Sequence, residues 1–285
     1  MHSISALGLI YASSAALLFT TYGLLSRVLA RDSADPLSFS VLYGLYATIF
    51  SVAILPFEPW KFGALTLGVL LLTFLATLFY GLYQGSEFFA RKNMEASRMT
   101  ILFQLTPVIT FVCAIAFLHE SFSVPKLIAI LLIIGGNLVA SYKHGGHLTP
   151  RGLFFGMITV IFLAFGYIVD KNIFELYPLG IYMAITYFFP SIYGSFFIAG
   201  RRRSLVKEAC AGTWRLPLLS LVGVAGYYFL LKSFTVLEAS VAVPIIYTST
   251  ILTGIGGILI LKERSSIIQK IIGAVLVFGG VVLLR

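Results

Sequence analysis

Four residues in the first half of the chain, Tyr80, Tyr83, Gln84 and Glu87, recur at spacings of three and four. On an α-helix that spacing sets their side chains on one face. Two phenols, an amide and a carboxyl on one face offer apolar rings, hydrogen-bond donors and acceptors, and an ionisable group. That chemistry suits reversible binding of a small polar or amphipathic molecule. Glu87 has two readings. It is a cation or proton site, or a partner for a substrate amine; alternatively it pairs with Arg91, four residues on. Gln84 lies deeper in the same apolar segment and reads as facing a cavity, because an unpaired amide facing lipid costs several kcal/mol.

Other polar groups lie inside apolar segments. Gln104 and Thr106 stand beside Pro107, which removes one helix hydrogen bond and frees a carbonyl, or simply kinks the helix. Tyr247, Thr248 and Thr250 follow Pro244, and Tyr227, Tyr228 and Lys232 share another segment. Lys232 pairs with a substrate carboxylate or extends to the interface. Tyr167 is a candidate cavity aromatic, and Asp170 beside Lys171 reads as a helix-end ion pair. The serines and threonines of the first segment, Ser13, Ser14, Thr20 and Thr21, read as packing groups. The expected substrate-binding set is thus Tyr80, Tyr83, Gln84, Glu87, Gln104, Tyr167, Tyr228, Lys232, Tyr247 and Thr248.

Catalytic chemistry is nearly absent. The chain has no H-E-x-x-H, no phosphate-cradling glycine loop and no paired cysteine ligands, so no enzyme activity, cofactor or metal is expected. His144 and His147 bracket Gly145-Gly146, but a metal there needs ligands that the sequence does not show. Cys113 and Cys210 are not expected to pair. The net charge of +9 does not read as nucleic-acid binding, since the basic residues cluster in short loops between apolar segments. Arg201-Arg202-Arg203 with Lys207 reads as an anchor against anionic headgroups.

The elements that position these residues follow from composition. Hydrophobic residues make up 59% and charged residues 11% of the 285 residues, and the mean hydropathy is +0.98. A soluble domain carries about 25% charged residues. The apolar runs have the length that an α-helix needs to cross a bilayer. Ten spans are expected: Ile4–Val28, Leu37–Phe57, Leu65–Ala90, Ser97–Leu118, Val124–Ser141, Gly152–Ile173, Leu179–Gly200, Leu216–Val236, Val241–Leu261 and Ile267–Leu284. The first reads as a retained helix, since it lacks a basic leading region and a small-residue cleavage site.

The chain also repeats itself. Glu95-Ala96-Ser97 is followed by Glu120 and Gly135-Gly136; Glu238-Ala239-Ser240 is followed by Glu263 at the same distance and by Gly279-Gly280 displaced by a single residue. The fold class is therefore an all-α integral membrane protein of two five-helix repeats, residues 1–143 and 144–285, forming one bundle. Five is odd, so the second repeat starts on the opposite side of the membrane and is inverted. Inverted repeats are a common route to alternating access. Fifteen of the twenty Lys and Arg residues fall in or beside the loops after the odd-numbered spans, which places those loops in the cytoplasm and both termini outside.

The segments "LHESFSVPKLIAILLIIGGNLVAS" and "LKERSSIIQKIIGAVLVFGGVVLL", with the preceding "EASRMTILFQLTPVITFV", resemble the repeats of the drug/metabolite transporter superfamily, its ten-helix EamA branch above all. The resemblance covers essentially the whole chain. It implies a multi-pass secondary transporter of the cell (inner or plasma) membrane. The substrate class is small metabolites, most often amino acids, and the direction export. Spans 1, 3, 4, 6, 8 and 9 line the cavity, with spans 5 and 10 outside. Expected partners are the small-molecule substrate, membrane lipids and a coupling proton held at Glu87, with the chain a monomer or homodimer. Family members usually keep both termini in the cytoplasm, opposite to the count of basic residues. The alternative is a non-transporting membrane protein, either a lipid-active enzyme or a scaffold.

Overall fold

Asp35 shows how the sequence starts a helix here. Its carboxylate accepts from the Leu37 N–H at 3.3 Å, and Pro36 takes the first helical position, where a missing N–H does no harm. Burial pushes the Asp35 carboxyl up, but the hydroxyls of Ser204 and Ser38 and the backbone N–H groups of Leu37 and Ser38 together hold it below its ordinary value. Thr149 and Pro150 repeat the device in the second half, with Thr149 Oγ1 accepting from the Gly152 N–H at 3.0 Å.

The computed structural model describes residues 5–33, 35–93, 96–141, 149–198, 202–253 and 267–284. The regular structure among them is helical. The helices are α1 (Ala6–Asp32), α2 (Pro36–Ala53), α3 (Leu67–Asn93), α4 (Ala96–Phe103), α5 (Leu105–Leu118), α6 (Val124–Ser141), α7 (Pro150–Ile173), α8 (Leu179–Phe197), α9 (Arg202–Gly212), α10 (Arg215–Phe234), α11 (Ala239–Ile246), α12 (residues 249–253) and α13 (Ile267–Leu284). Among the described residues six stretches are long and apolar enough to cross a membrane: Ala6–Ser26, Pro36–Phe57, Leu67–Glu87, Ile101–Leu118, Pro150–Leu176 and Arg215–Phe234. Val124–Ala140, Ala239–Thr253 and Ile271–Leu283 are shorter apolar helices. Large apolar side chains such as Ile49, Phe74, Phe154, Phe196 and Phe278 face outward, as lipid contact requires. Glu95, His144, His147 and Glu263 lie outside the described residues.

Three features depart from uniform spans. The fourth expected span is broken into α4 and α5 at Gln104. Pro107 has no N–H to offer the Phe103 carbonyl, so the helix is interrupted one turn before it. The ninth is interrupted at Tyr247 and Thr248, between α11 and α12. The basic stretch after α8 continues into the short helix α9, which exposes Arg203, Val206 and Lys207. Its Glu208 is buried and accepts from the Asp35 N–H at 2.8 Å.

The helices pair across the two halves. α1 packs on α10, α2 on α8, α3 on α7 and α6 on α13. At the α6–α13 contact the backbones nearly touch: a Cβ on Gly136 would lie 2.5 Å from the Gly273 carbonyl oxygen, and one on Gly273 equally close to the Gly136 oxygen. Small residues allow that approach. Gly280 meets Ala129 in the same way, whereas Gly135 and Gly279 face open space.

One end of the bundle is tied shut by contacts between the halves. The Glu120 carboxylate accepts from the N–H groups of Ala239 (2.6 Å) and Ser240 (2.9 Å), capping α11. Lys126 pairs with Glu238. Glu58 accepts from Lys232 at 2.9 Å and from the Tyr228 hydroxyl, and the Gly63 N–H reaches the Leu176 carbonyl at 2.9 Å. Burial pushes the Glu238 carboxyl up, but Lys126 and Ser121 outweigh it and hold the group below its ordinary value.

Candidate functional site

A cavity of about 200 Å³ lies between the halves. It stretches from Tyr80, Tyr167 and Tyr227, beneath the tied end, to Glu87 and Met99 near the opposite end. The two interrupted spans meet here, with Phe103 and Tyr247 in the wall. Interrupted helices with polar backbone are tolerated at membrane depth where they border a cavity.

Six tyrosines form a chain of edge-to-face contacts along the wall. Tyr22 meets Tyr43 at a centroid distance of 5.8 Å, Tyr43 meets Tyr187 at 6.1 Å, and Tyr187 meets Tyr227 at 5.7 Å. Tyr227 then meets Tyr80 at 5.8 Å, and Tyr80 meets Tyr83 at 6.4 Å. Five helices contribute: α1, α2, α8, α10 and α3. Edge-to-face packing fixes each ring along the wall, and the hydroxyls of Tyr80 and Tyr227 are held by Asp170 behind it. Gln84 is held by donating to the Ser40 carbonyl at 2.8 Å. Glu87 is buried in the same wall. Among the described lining residues none is Lys, Arg or His.

The expected site residues divide. Tyr80, Tyr83, Gln84, Glu87, Tyr167 and Tyr247 line the cavity. Gln104, Tyr228, Lys232 and Thr248 do not. Gln104 is buried beside the wall, donating to Thr250 Oγ1 at 3.0 Å and accepting from Asn137 Nδ2 at 2.8 Å. Tyr228 and Lys232 stand at the tied end on Glu58, with the Lys232 ammonium 5.5 Å from the Tyr228 ring centroid. One residue turns a helix by about 100°, so Tyr227 faces the cavity and Tyr228 faces away.

Two expectations are corrected. The resemblance names spans 1, 3, 4, 6, 8 and 9 as lining, yet α2 also supplies Tyr43, and α8 supplies Thr186 and Tyr187. The sequence places Asp170 as a helix-end partner of Lys171, yet the two point apart. Lys171 donates to the carbonyls of Phe234 and Leu237, the latter at 3.0 Å, at the end of α10. Asp170 is fully buried and accepts from three phenols: Tyr182 at 2.6 Å, Tyr227 at 3.0 Å and Tyr80. A sequence signal existed, since Tyr167 and Asp170 are spaced three apart and share a helix face.

Proteins of Bacillus cereus and Bacillus anthracis, each named "Putative sugar uptake protein", are 29% identical to this chain over 230 residues, covering 78% of it and 80% of their own length. A solved crystal structure superposes over 99% of both chains with a TM-score of 0.76 at 15% identity, a likeness of fold alone. The model of the EamA-like transporter family matches twice, over residues 6–142 and 150–285. That match sets aside the reading as an enzyme or scaffold. The protein is a multi-pass integral membrane transporter, and the chain belongs to the EamA-like transporter family.

Proposed function

We propose that this protein is a secondary transporter that takes up a small polyhydroxylated solute of monosaccharide size through its tyrosine-lined cavity. The observation that carries the reading is the chain of six edge-to-face tyrosines with no cation among the described lining residues. A sugar presents apolar C–H faces that stack on rings and a rim of hydroxyls that exchange hydrogen bonds with phenols and amides. The sugar-uptake names of the Bacillus relatives point the same way.

Transport proceeds by alternating access in the cell membrane, with ten spans arranged as inverted halves, 1–143 and 144–285. The helix pairing supports this, because exchanging the halves turns α1–α10 into α7–α3 and leaves α2–α8 and α6–α13 unchanged. The cavity extends to the end carrying most basic loops, the cytoplasmic end by the positive-inside rule.

Glu87 favours a second reading, export of an amino acid whose ammonium pairs with that carboxylate. Counterflow in proteoliposomes preloaded with either monosaccharides or amino acids separates the two. Tracer accumulation with the sugar pool supports the first reading. Accumulation with the amino-acid pool alone replaces it with the second, and none with either pool, from folded protein, overturns both.

A further inference from the structure

A carboxyl group in the middle of a membrane bundle needs a reason. Asp170 has no solvent exposure, and among the described residues no cation bonds to it. Lys171 next to it is directed to the end of α10. The side chains within electrostatic reach are phenols: Tyr80 from α3, Tyr167 from its own helix, Tyr182 and Tyr187 from α8, and Tyr227 from α10. On the other elements packed against α7, the titratable residues are Arg98 of α4, Cys113 of α5, Glu175 in the turn that follows α7 and Tyr247 just past α11; Cys113, Glu175 and Tyr247 make no described hydrogen bond to Asp170. Glu87 lies further along the cavity wall. Burying a carboxylate without a counter-ion is costly, and in membrane proteins such groups mark proton or ion pathways.

The three donors are not equivalent. Tyr80 and Tyr227 line the cavity, so their hydroxyls lie between Asp170 and the solute. Tyr182 lies on the far side. Its ring meets that of Tyr177 in a tilted contact at a centroid distance of 5.8 Å, and the Tyr177 hydroxyl shares a 2.7 Å hydrogen bond with Thr73, towards the tied end. The carboxyl therefore has a polar neighbour towards each end of the bundle. Tyr80 belongs to the first half and Tyr182 and Tyr227 to the second, so the cluster bridges the surfaces that must move.

We propose that Asp170 carries a proton across the membrane with the solute, and that Tyr80 and Tyr227 link the two. This rests on the hydroxylated-solute reading above. As a carboxylate, Asp170 accepts from all three phenols. A proton from water in the cavity adds to Oδ2, the carboxyl becomes neutral, and its new O–H donates to the oxygen of Tyr80 or Tyr227. That phenol then turns its own hydrogen into the cavity, where a solute hydroxyl accepts it. The solute thus favours the protonated carboxyl and the proton favours the bound solute, as linkage requires. The loaded carrier crosses with the carboxyl neutral, and release of both restores the carboxylate.

The test uses the full chain in two settings. In proteoliposomes an imposed pH gradient, acid outside, drives solute accumulation in the wild type. Asp170→Asn reduces that accumulation by about tenfold, while solute exchange without a gradient stays detectable. Infrared difference spectra of purified protein, with no solute present, show a protonated-carboxyl band that grows as pH falls, is absent in Asp170→Asn and survives in Glu87→Gln. Tyr80→Phe and Tyr227→Phe, each lacking one donor to the carboxylate, keep the band to higher pH. Gradient-driven accumulation that persists in Asp170→Asn, a sodium gradient driving uptake in place of protons, or a band removed by Glu87→Gln instead would each overturn the proposal. Failure of the solute reading alone shows as no sugar counterflow with the Asp170 band intact.

Discussion

Asn137 Nδ2 donates to Gln104 Oε1 at 2.8 Å and reaches the Tyr247 carbonyl at 3.2 Å. Gln104 and Tyr247 mark the interruptions of the fourth and ninth spans, so one amide from α6 joins both broken helices behind the cavity. Asn137→Leu removes a buried hydrogen-bond partner, which costs about 1–3 kcal/mol. The expected outcome is a lower unfolding temperature in detergent and slower transport with little change in solute affinity. Thermal unfolding followed by fluorescence and initial-rate transport measure the two effects.

The phenol hydroxyls in the wall are expected to contact the solute, and those facing away are not. Tyr43→Phe and Tyr187→Phe keep each ring while deleting a hydroxyl, and each should weaken solute binding by about twofold to tenfold. Tyr228→Phe, one residue from Tyr227 but bonded to Glu58, should leave binding affinity unchanged. Calorimetric titration of the purified variants decides between these outcomes. A loss of affinity in Tyr228→Phe as large as in Tyr187→Phe would contradict the placement of the site.

The Glu120 cap on α11 holds the tied end. Glu120→Ala should cost about 0.5–2 kcal/mol, the usual range for losing a cap. The cost falls on the closed form, so that end should open more often. A cysteine placed at Ser240, which is fully buried, reports the opening once Cys113 and Cys210 are replaced. Labelling by a membrane-impermeant maleimide is expected to be faster when Glu120→Ala is added.

The Lys126–Glu238 pair gives the protein an acid-sensitive element. Its folded state holds the Glu238 carboxyl below the ordinary 4.5, so the unfolded chain binds the proton more tightly. The stabilisation is present above pH 4.5 and is lost as pH falls through the lower folded value. The Glu238 side chain is 39% exposed, and solvent screening limits the contribution to about 1 kcal/mol or less. Unfolding temperatures measured across the acid range should fall less steeply in Glu238→Gln than in the wild type.

Much of this architecture is legible in the sequence because lipid imposes one requirement on every span. Hydropathy marks the apolar segments, and the recurrence of Glu-Ala-Ser, glutamate and Gly-Gly marks the halves. The Tyr80, Tyr83, Gln84 and Glu87 face is legible because regular spacing suffices to place four residues together. Tyr43 and Tyr187 are not, because each is one aromatic among many and only the packing of α2 on α8 turns them inward. Asp170 is hidden by its neighbour: an adjacent Asp-Lys pair near a helix end looks like an interface pair until the side chains are seen to point apart. Tyr228 and Lys232 mislead for the converse reason. Their spacing of four is sound, but the shared face looks towards Glu58 and away from the cavity.

The α6–α13 seam has a mechanical consequence. Its backbones meet through Gly136 and Gly273, and among the described lining residues neither helix supplies any. Contact that close leaves no slack for the two backbones to slide past each other. In the alternating access proposed above, the seam would then serve as the axle of the molecule, the line that stays still while the tyrosine wall swings past it.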